Sequence, residues 1–167
     1  MMGFLLGNLR NRPFVIEPLA STDSIHLAKL HALTFSQPWS DEEFHALMMQ
    51  GNVFGFIARE EGRRSAPPGG FVLARLVVDE AEILTIAVAP SAQRRGLGHA
   101  LMDATLRHLH NARAEMLFLE VDETNMPALA LYRRLGFKQV GKRPGYYETA
   151  GGRSAALTMR RDLKRAR

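Results

Sequence analysis

Two hydrophobic periods alternate along this chain, one near two residues and one near three and a half, and their order predicts a mixed α/β domain. The run Phe14, Val15, Ile16 predicts a first strand. Ile25, Leu27, Leu30, Leu33 and Phe35 then recur at helical spacing, with Thr22 or Asp23 as candidate N-caps. Ser40 followed by Glu43 fits a capping box that opens a second short helix through Phe44, Leu47 and Met48. Val53 to Ala58 and Phe71 to Val78 predict paired strands, joined by the irregular EEGRRSAPPGG. Ile83, Leu84, Ile86 and Val88 form another strand, which Pro90 ends for want of a backbone donor. A helix from Leu97 to about Asn111 follows, then a strand over 116–121 and a helix over 127–135 that stops at Gly136. Two last strands are expected at Phe137–Val140 and Ala156–Met159. This order predicts a mostly antiparallel N-terminal sheet followed by a βαβ-like half.

The junction before the long helix carries the first chemical signal. Gln93, Arg94, Arg95, Gly96, Leu97 and Gly98 connect a buried-looking strand to a helix start. Two glycines one residue apart let a backbone approach an anion closely, and the helix N-terminus adds positive potential. The pair alone is equally compatible with a tight strand-to-helix turn. It lacks the third glycine of a dinucleotide fingerprint and the Gly-Lys-Ser/Thr of a P-loop. Further along, Glu120 sits near the end of an apolar strand, and Asn125 precedes Pro127 at the next helix start.

Taken together, PWS at Pro38 to Ser40, IAVAP at Ile86 to Pro90, QRRGLG, LEV at Leu119 to Val121, Asn125, ALYRRLGF at Ala130 to Phe137 and the Tyr146-Tyr147 pair resemble the GNAT superfamily of acetyl-CoA-dependent N-acetyltransferases. Within it the chain is similar to the RimI-type branch, which acetylates the N-terminal alanine of a ribosomal protein. The likeness runs from about Phe14 to Leu163. It implies a single GNAT domain, 14–163, with a mixed sheet of six to seven strands and about four helices. Residues 1–13 are then an N-terminal extension and 164–167 a basic tail.

The resemblance also implies roles. Glu120 falls on the position of the general base, and Tyr132 on that of the acid that meets the leaving thiolate. Ile86, Ala87 and Val88 would run along the pantetheine of acetyl-CoA, with a backbone N–H near Ala87 and Val88 polarising the thioester carbonyl. Arg94, Arg95, Gly96, Leu97, Gly98 and His99 would hold the pyrophosphate, and Asn125 adds a polar contact. Trp39, Tyr146 and Tyr147 would touch the acceptor. Without the family, Glu120 reads as a solvated strand end and Tyr132 as a packing aromatic. Glu82 is the competing base. Ser36-Gln37, Gly145 and Ser154-Ala155 depart from the branch in the segments that grip the acceptor, so the chemistry is expected intact and the acceptor open: a protein N-terminus, a ribosomal protein among them, or a small amine. A catalytically idle acetyl-CoA-binding module is the reading from another class, but it would need neither Glu120 nor Tyr132.

Composition narrows the rest. The chain has 167 residues, 46% of them hydrophobic and 23% charged, one domain's worth. No cysteine is present, which excludes a cysteinyl acyl-enzyme and a thiolate metal site. His108 and His110 are two apart and point to different faces of a helix, and His26, His31 and His45 are expected at the surface or core edge; no metal is predicted. A net charge of +5 gathers partly at the C-terminus, without the interleaved aromatics of a nucleic-acid surface. No signal peptide or membrane span is read, so a cytoplasmic monomer is expected.

Overall fold

The computed structural model describes residues 12–163. Most of the expected N-terminal extension and the basic tail lie outside the described residues. In chain order the described elements are β1 (Phe14–Pro18), a 3-10 turn (Ser21–Asp23), α1 (Ser24–Thr34), α2 (Asp41–Met48), β2 (Val53–Glu60), β3 (Gly70–Val77), β4 (Glu80–Val88), a 3-10 turn (Pro90–Ala92), α3 (Leu97–Asn111), β5 (Met116–Asp122), α4 (Met126–Arg134), β6 (Lys138–Thr149) and β7 (Gly152–Asp162). The strands pair in the order β1-β2-β3-β4-β5-β7-β6. The chain packs as two compact units, one holding the residues up to Leu73 and Ile86–Thr105, the other Ala74–Thr85 and Leu106 onward. β3, β4 and α3 each run through both.

In the first unit β1 lies antiparallel to β2, from Phe14 opposite Glu60 to Pro18 opposite Phe56. Leu27 and Leu30 on α1, Phe44 on α2, Ile57 on β2 and Phe71, Val72 and Leu73 on β3 are buried. The expected face of α1 is only partly right. Leu27, Leu30 and His31 form the inward stripe, and Leu33, roughly 110° around the helix at 100° per residue, is 69% exposed. Phe35 lies past the last turn, where its N–H closes on the His31 carbonyl. Neither proposed cap serves α1 through its side chain; Asp23 instead accepts the Ala20 N–H at 2.8 Å and pairs with Arg59. The capping box on α2 is present: Ser40 Oγ accepts the Glu43 N–H at 3.1 Å, and Glu43 accepts the Ser40 N–H at 2.7 Å. Gly55 permits a close strand approach, since a Cβ there would stand 2.2 Å from the Val72 carbonyl oxygen.

In the second unit β4 and β5 run parallel, with Glu80 to Glu82 opposite Met116 to Phe118, as a βαβ connection requires. β5 is antiparallel to β7 from Met116 opposite Asp162 to Asp122 opposite Ala156. The last two strands are much longer than expected. Beyond the expected stretch that ends at Val140, the segment lacks alternation and is broken by Gly141, Pro144 and Gly145, so its pattern does not extend the strand. β6 forms as an edge strand on β7, and register shifts at Gln139/Gly141 and Arg143/Tyr147 absorb the irregular residues.

Candidate active site

The turn expected to hold an anion lies in the first unit. After β4 and the turn at Pro90–Ala92, Arg94 and Gly96 both adopt positive φ, 64° and 75°. For arginine that is an uncommon conformation. Gly96 O accepts the Ala100 N–H at 3.0 Å, so the N–H groups of Leu97, Gly98 and His99 belong to the first helical turn, which has no intrahelical acceptors for them. A Cβ on Gly96 would meet nothing within 4 Å, so the turn opens onto space. The side chains divide their work. Leu97 is buried and offers only its backbone outward. The Arg95 guanidinium lies 4.5 Å from the Phe14 ring centre and donates to the Arg12 carbonyl at 3.0 Å, anchoring the turn rather than reaching forward. Ile86 and Val88 are half-buried and Ala87 is buried.

Also in the first unit, Trp39 is pinned by a residue that the sequence did not single out. Its N–H donates to Nδ1 of His31 at 2.9 Å, and its ring stacks on the imidazole with centroids 5.1 Å apart. His31 also stacks on Phe35 at 4.1 Å and meets Phe44 edge-on at 5.3 Å. Only 1% of His31 is exposed, which corrects the expectation of a surface or core-edge side chain. Burial drives its pKa down to about 4, against the pull of Glu43.

The second unit brings together Glu120, Tyr132, Tyr146 and Tyr147. On β5, Leu117, Leu119 and Val121 face the core, which turns Glu120 to the other face. Glu120 sits opposite Thr158 and Asp122 opposite Ala156; Arg143 is also paired with Ala156, and Tyr147 with Ser154. Residues in register share a face, so Glu120, Asp122, Arg143 and Tyr147 project from the same side. Arg143 donates to a Glu120 carboxylate oxygen, and its guanidinium carbon lies 4.8 Å from the Tyr146 ring centre. Tyr146 and Tyr147 meet edge to face at 5.0 Å.

Tyr132, on α4, is 5% exposed and rests on Phe137 with ring centres 5.8 Å apart. Burial, aided by the field of Tyr147, pushes its phenol up to about 12. Tyr147 is itself raised, first by burial and then by the charge of Glu120. Both phenols therefore stay protonated at neutral pH. Asn125 acts locally, accepting the Ala128 N–H at 3.3 Å as the N-cap of α4. Glu82, the competing base, is an exposed strand residue held by Arg75 at 3.1 Å. The Arg143 contact with Glu120 is one the sequence did not reveal; a basic residue before Pro-Gly gives no such signal.

A family model described as the acetyltransferase (GNAT) family matches residues 25–137. The chain is 34% identical over 145 residues to the ribosomal protein bS18-alanine N-acetyltransferase of Escherichia coli, spanning 86% of this chain and 94% of that one. It is 36% identical over 152 residues to the N-alpha-acetyltransferase RimI of Mycobacterium tuberculosis, across 90% of this chain and 93% of that protein. The crystal structure of the Escherichia coli ribosomal-protein alanine N-acetyltransferase superposes with a TM-score of 0.83 at 31% identity, covering 92% of this chain and 96% of that one.

Proposed function

We infer that this chain, which belongs to the acetyltransferase (GNAT) family, transfers an acetyl group from acetyl-CoA to the α-amine of a protein N-terminus, with a ribosomal protein as the acceptor class to which its relatives point. The observation that carries this reading is that Glu120 on β5 and Tyr147 on β6 project from one face of the sheet, in the same unit as the buried phenol of Tyr132. We place the domain at 14–163 and assign it to the cytoplasm as a monomer.

Acetyl-CoA supplies the thioester. Arg94 to His99 offer backbone N–H groups and positive potential for its pyrophosphate, and Ile86 to Val88 flank the pantetheine. Glu120 accepts a proton from the acceptor's α-ammonium, directly or through one water; such a group has a pKa near 7.7–8.0, so a modest base suffices. The freed nitrogen bonds to the acetyl carbon as the carbon–sulfur bond breaks, and Tyr132 faces the charge left on sulfur. A phenol near 12 is a weaker acid than a thiol near 8.5. Tyr132 therefore acts first as a hydrogen-bond donor to the thiolate; the second proton, which the attacking nitrogen sheds as the amide forms, reaches that sulfur through solvent. With no cysteine to carry the acyl group, attack is direct and the kinetics sequential.

The test compares an Ala-initiated peptide, the same peptide with a blocked α-amine and an internal lysine, and a polyamine, each with wild type and Glu120→Gln. The free-amine peptide should react fastest. Glu120→Gln should lower its turnover on the order of 10²–10⁴-fold, with the deficit shrinking as pH rises and free amine accumulates. Preferential acetylation of the blocked peptide or the polyamine would overturn the assignment.

A further inference from the structure

The segment between α1 and α2, residues 35–40, is fixed at its two ends by helix-end chemistry and in its middle by a histidine. At one end the Phe35 N–H closes on the His31 carbonyl at 2.9 Å; at the other, Ser40 and Glu43 exchange the hydrogen bonds of the capping box. Pro38 has no N–H to give. The Trp39 N–H goes to Nδ1 of His31 at 2.9 Å. The imidazole is also the hub of the surrounding rings. Phe35 and Trp39 stack on it, Phe44 meets it edge-on, and Phe71 lies with its centre 6.4 Å away. Packing alone asks only for an apolar ring here, on the stripe of Leu27 and Leu30. A histidine adds an acceptor aimed at a backbone N–H, and burial keeps the ring neutral and able to accept.

This cluster is built against the strand expected to carry the thioester. Phe71 follows Gly70 on β3, and a Cβ on Gly70 would stand 2.9 Å from the Ala87 carbonyl oxygen and 3.5 Å from the Val88 Cα. The Ala89 N–H donates to the Gly69 carbonyl at 2.8 Å. The start of β3 is therefore pressed onto the end of β4, while Phe71 meets Phe44 edge-on at 5.6 Å, and all of these residues belong to the first unit. A thioester lying along Ile86 to Val88 has the ring cluster as its neighbour on the next strand. Trp39 is only half-buried and Phe35 is 41% exposed, so both rings that flank the imidazole present surface outward.

We propose that His31 is a positioning residue for the acceptor: by accepting the Trp39 N–H, its Nδ1 holds Trp39 and the 35–40 segment in the form that receives the peptide. This rests on the α-amine reading above, with Trp39 as an acceptor contact. No atom of His31 touches either substrate. Its contribution is to the fraction of molecules whose segment is already in the receiving form, and an apparent affinity falls in proportion to that fraction. The effect therefore falls on the KM for the peptide, and leaves both the cofactor and the chemical step alone.

The test uses the full-length protein and an Ala-initiated peptide. His31→Gln, whose amide reaches the place of Nε2 instead of Nδ1, should raise the KM for the peptide on the order of five- to tenfold, the scale of one hydrogen bond, with the KM for acetyl-CoA and kcat held. His31→Asn, whose amide oxygen falls near Nδ1, should recover most of that loss. Trp39→Ala should raise the peptide KM too, and in that background His31→Gln should add little, because the histidine acts through Trp39. In wild type, bound peptide should shield Trp39, the sole tryptophan, from acrylamide quenching, a readout that needs no variant to fold. A fall in kcat with the peptide KM unmoved, equal KM values for the Asn and Gln variants, additive effects of His31 and Trp39, or quenching indifferent to peptide would each overturn the His31 assignment and leave the α-amine reading standing. Acetylation of a polyamine by wild type without any peptide acetylation would overturn both.

Discussion

His31 makes the stability of this protein depend on pH in a direction and window that can be worked out. Its ring is 1% exposed among Phe35, Trp39 and Phe44, and Nδ1 accepts the Trp39 N–H, so the folded state holds the neutral imidazole. The folded pKa is lowered from 6.5 to about 4. A depressed histidine pKa means that the unfolded chain binds the proton first, so the stabilisation is complete above pH 6.5 and drains away as pH falls toward 4. Within that window the slope approaches about 1.4 kcal/mol per pH unit, and the loss between pH 7.5 and 5 comes to about 2 kcal/mol. Other groups also ionise across an acid series, so the measurement is a difference. His31→Asn keeps an acceptor near the position of Nδ1 but cannot titrate. Urea unfolding of both proteins across this range should show the stability of wild type converging on that of the variant by about 2 kcal/mol as pH falls to 5. A constant gap would refute the neutral, buried histidine, and a gap that widens toward acid would mean that the pKa is raised instead. Tryptophan fluorescence offers a second reading, since Trp39 is the sole tryptophan, its ring stacks on the imidazole, and its backbone N–H loses its acceptor when Nδ1 is protonated.

Three further outcomes are expected. Tyr132→Phe should keep the packing on Phe137 and the affinity for acetyl-CoA but lower kcat, and with the phenol near 12 wild type should show no alkaline loss from this residue below about pH 10; full turnover in the variant would leave Tyr132 a packing aromatic. Gly96→Val forces a β-branched residue to φ 75° without any steric neighbour within 4 Å, so it should destabilise the turn by about 1–3 kcal/mol and weaken acetyl-CoA binding by calorimetry; unchanged affinity in a folded variant would remove the cradle. Gly55→Ala drives a Cβ to 2.2 Å from the Val72 carbonyl oxygen and 2.5 Å from a Leu19 methyl, and thermal unfolding should register a loss of about 1–3 kcal/mol without a change in KM.

How far the sequence disclosed this molecule depends on whether each feature is local. The capping box, the βαβ order and the apolar strand β5 are written in residues a few positions apart, where periodicity and side-chain chemistry act directly. β6 is different: past the expected start that ends at Val140, its pattern of Lys, Gly and Pro favours no strand, and pairing with β7 carries it on to Thr149. The shared face of Glu120 and Tyr147 joins β5 and β6, and it depends on the register shift between Arg143 and Tyr147 that no short window contains. His31 escaped for a related reason. A histidine on the same stripe as Leu27 and Leu30 is legible as inward-facing only once it is known which of two helix faces the sheet covers.

The same distinction bears on what a motif residue does. Arg95 and Asn125 belong to the segments that most resemble the family, and position alone assigned both to the cofactor. In the fold Arg95 is engaged by Phe14 and the Arg12 carbonyl, while Asn125 caps α4 through the Ala128 N–H. Each shapes the backbone of a turn, and in the cradle it is backbone N–H groups that face outward. A side chain that fixes φ and ψ at such a turn acts on an anion as surely as one that touches it, but through geometry. Removing Arg95 should therefore loosen the turn as well as reduce its charge, and the two effects separate in salt: screening weakens a charge contribution and leaves a geometric one in place.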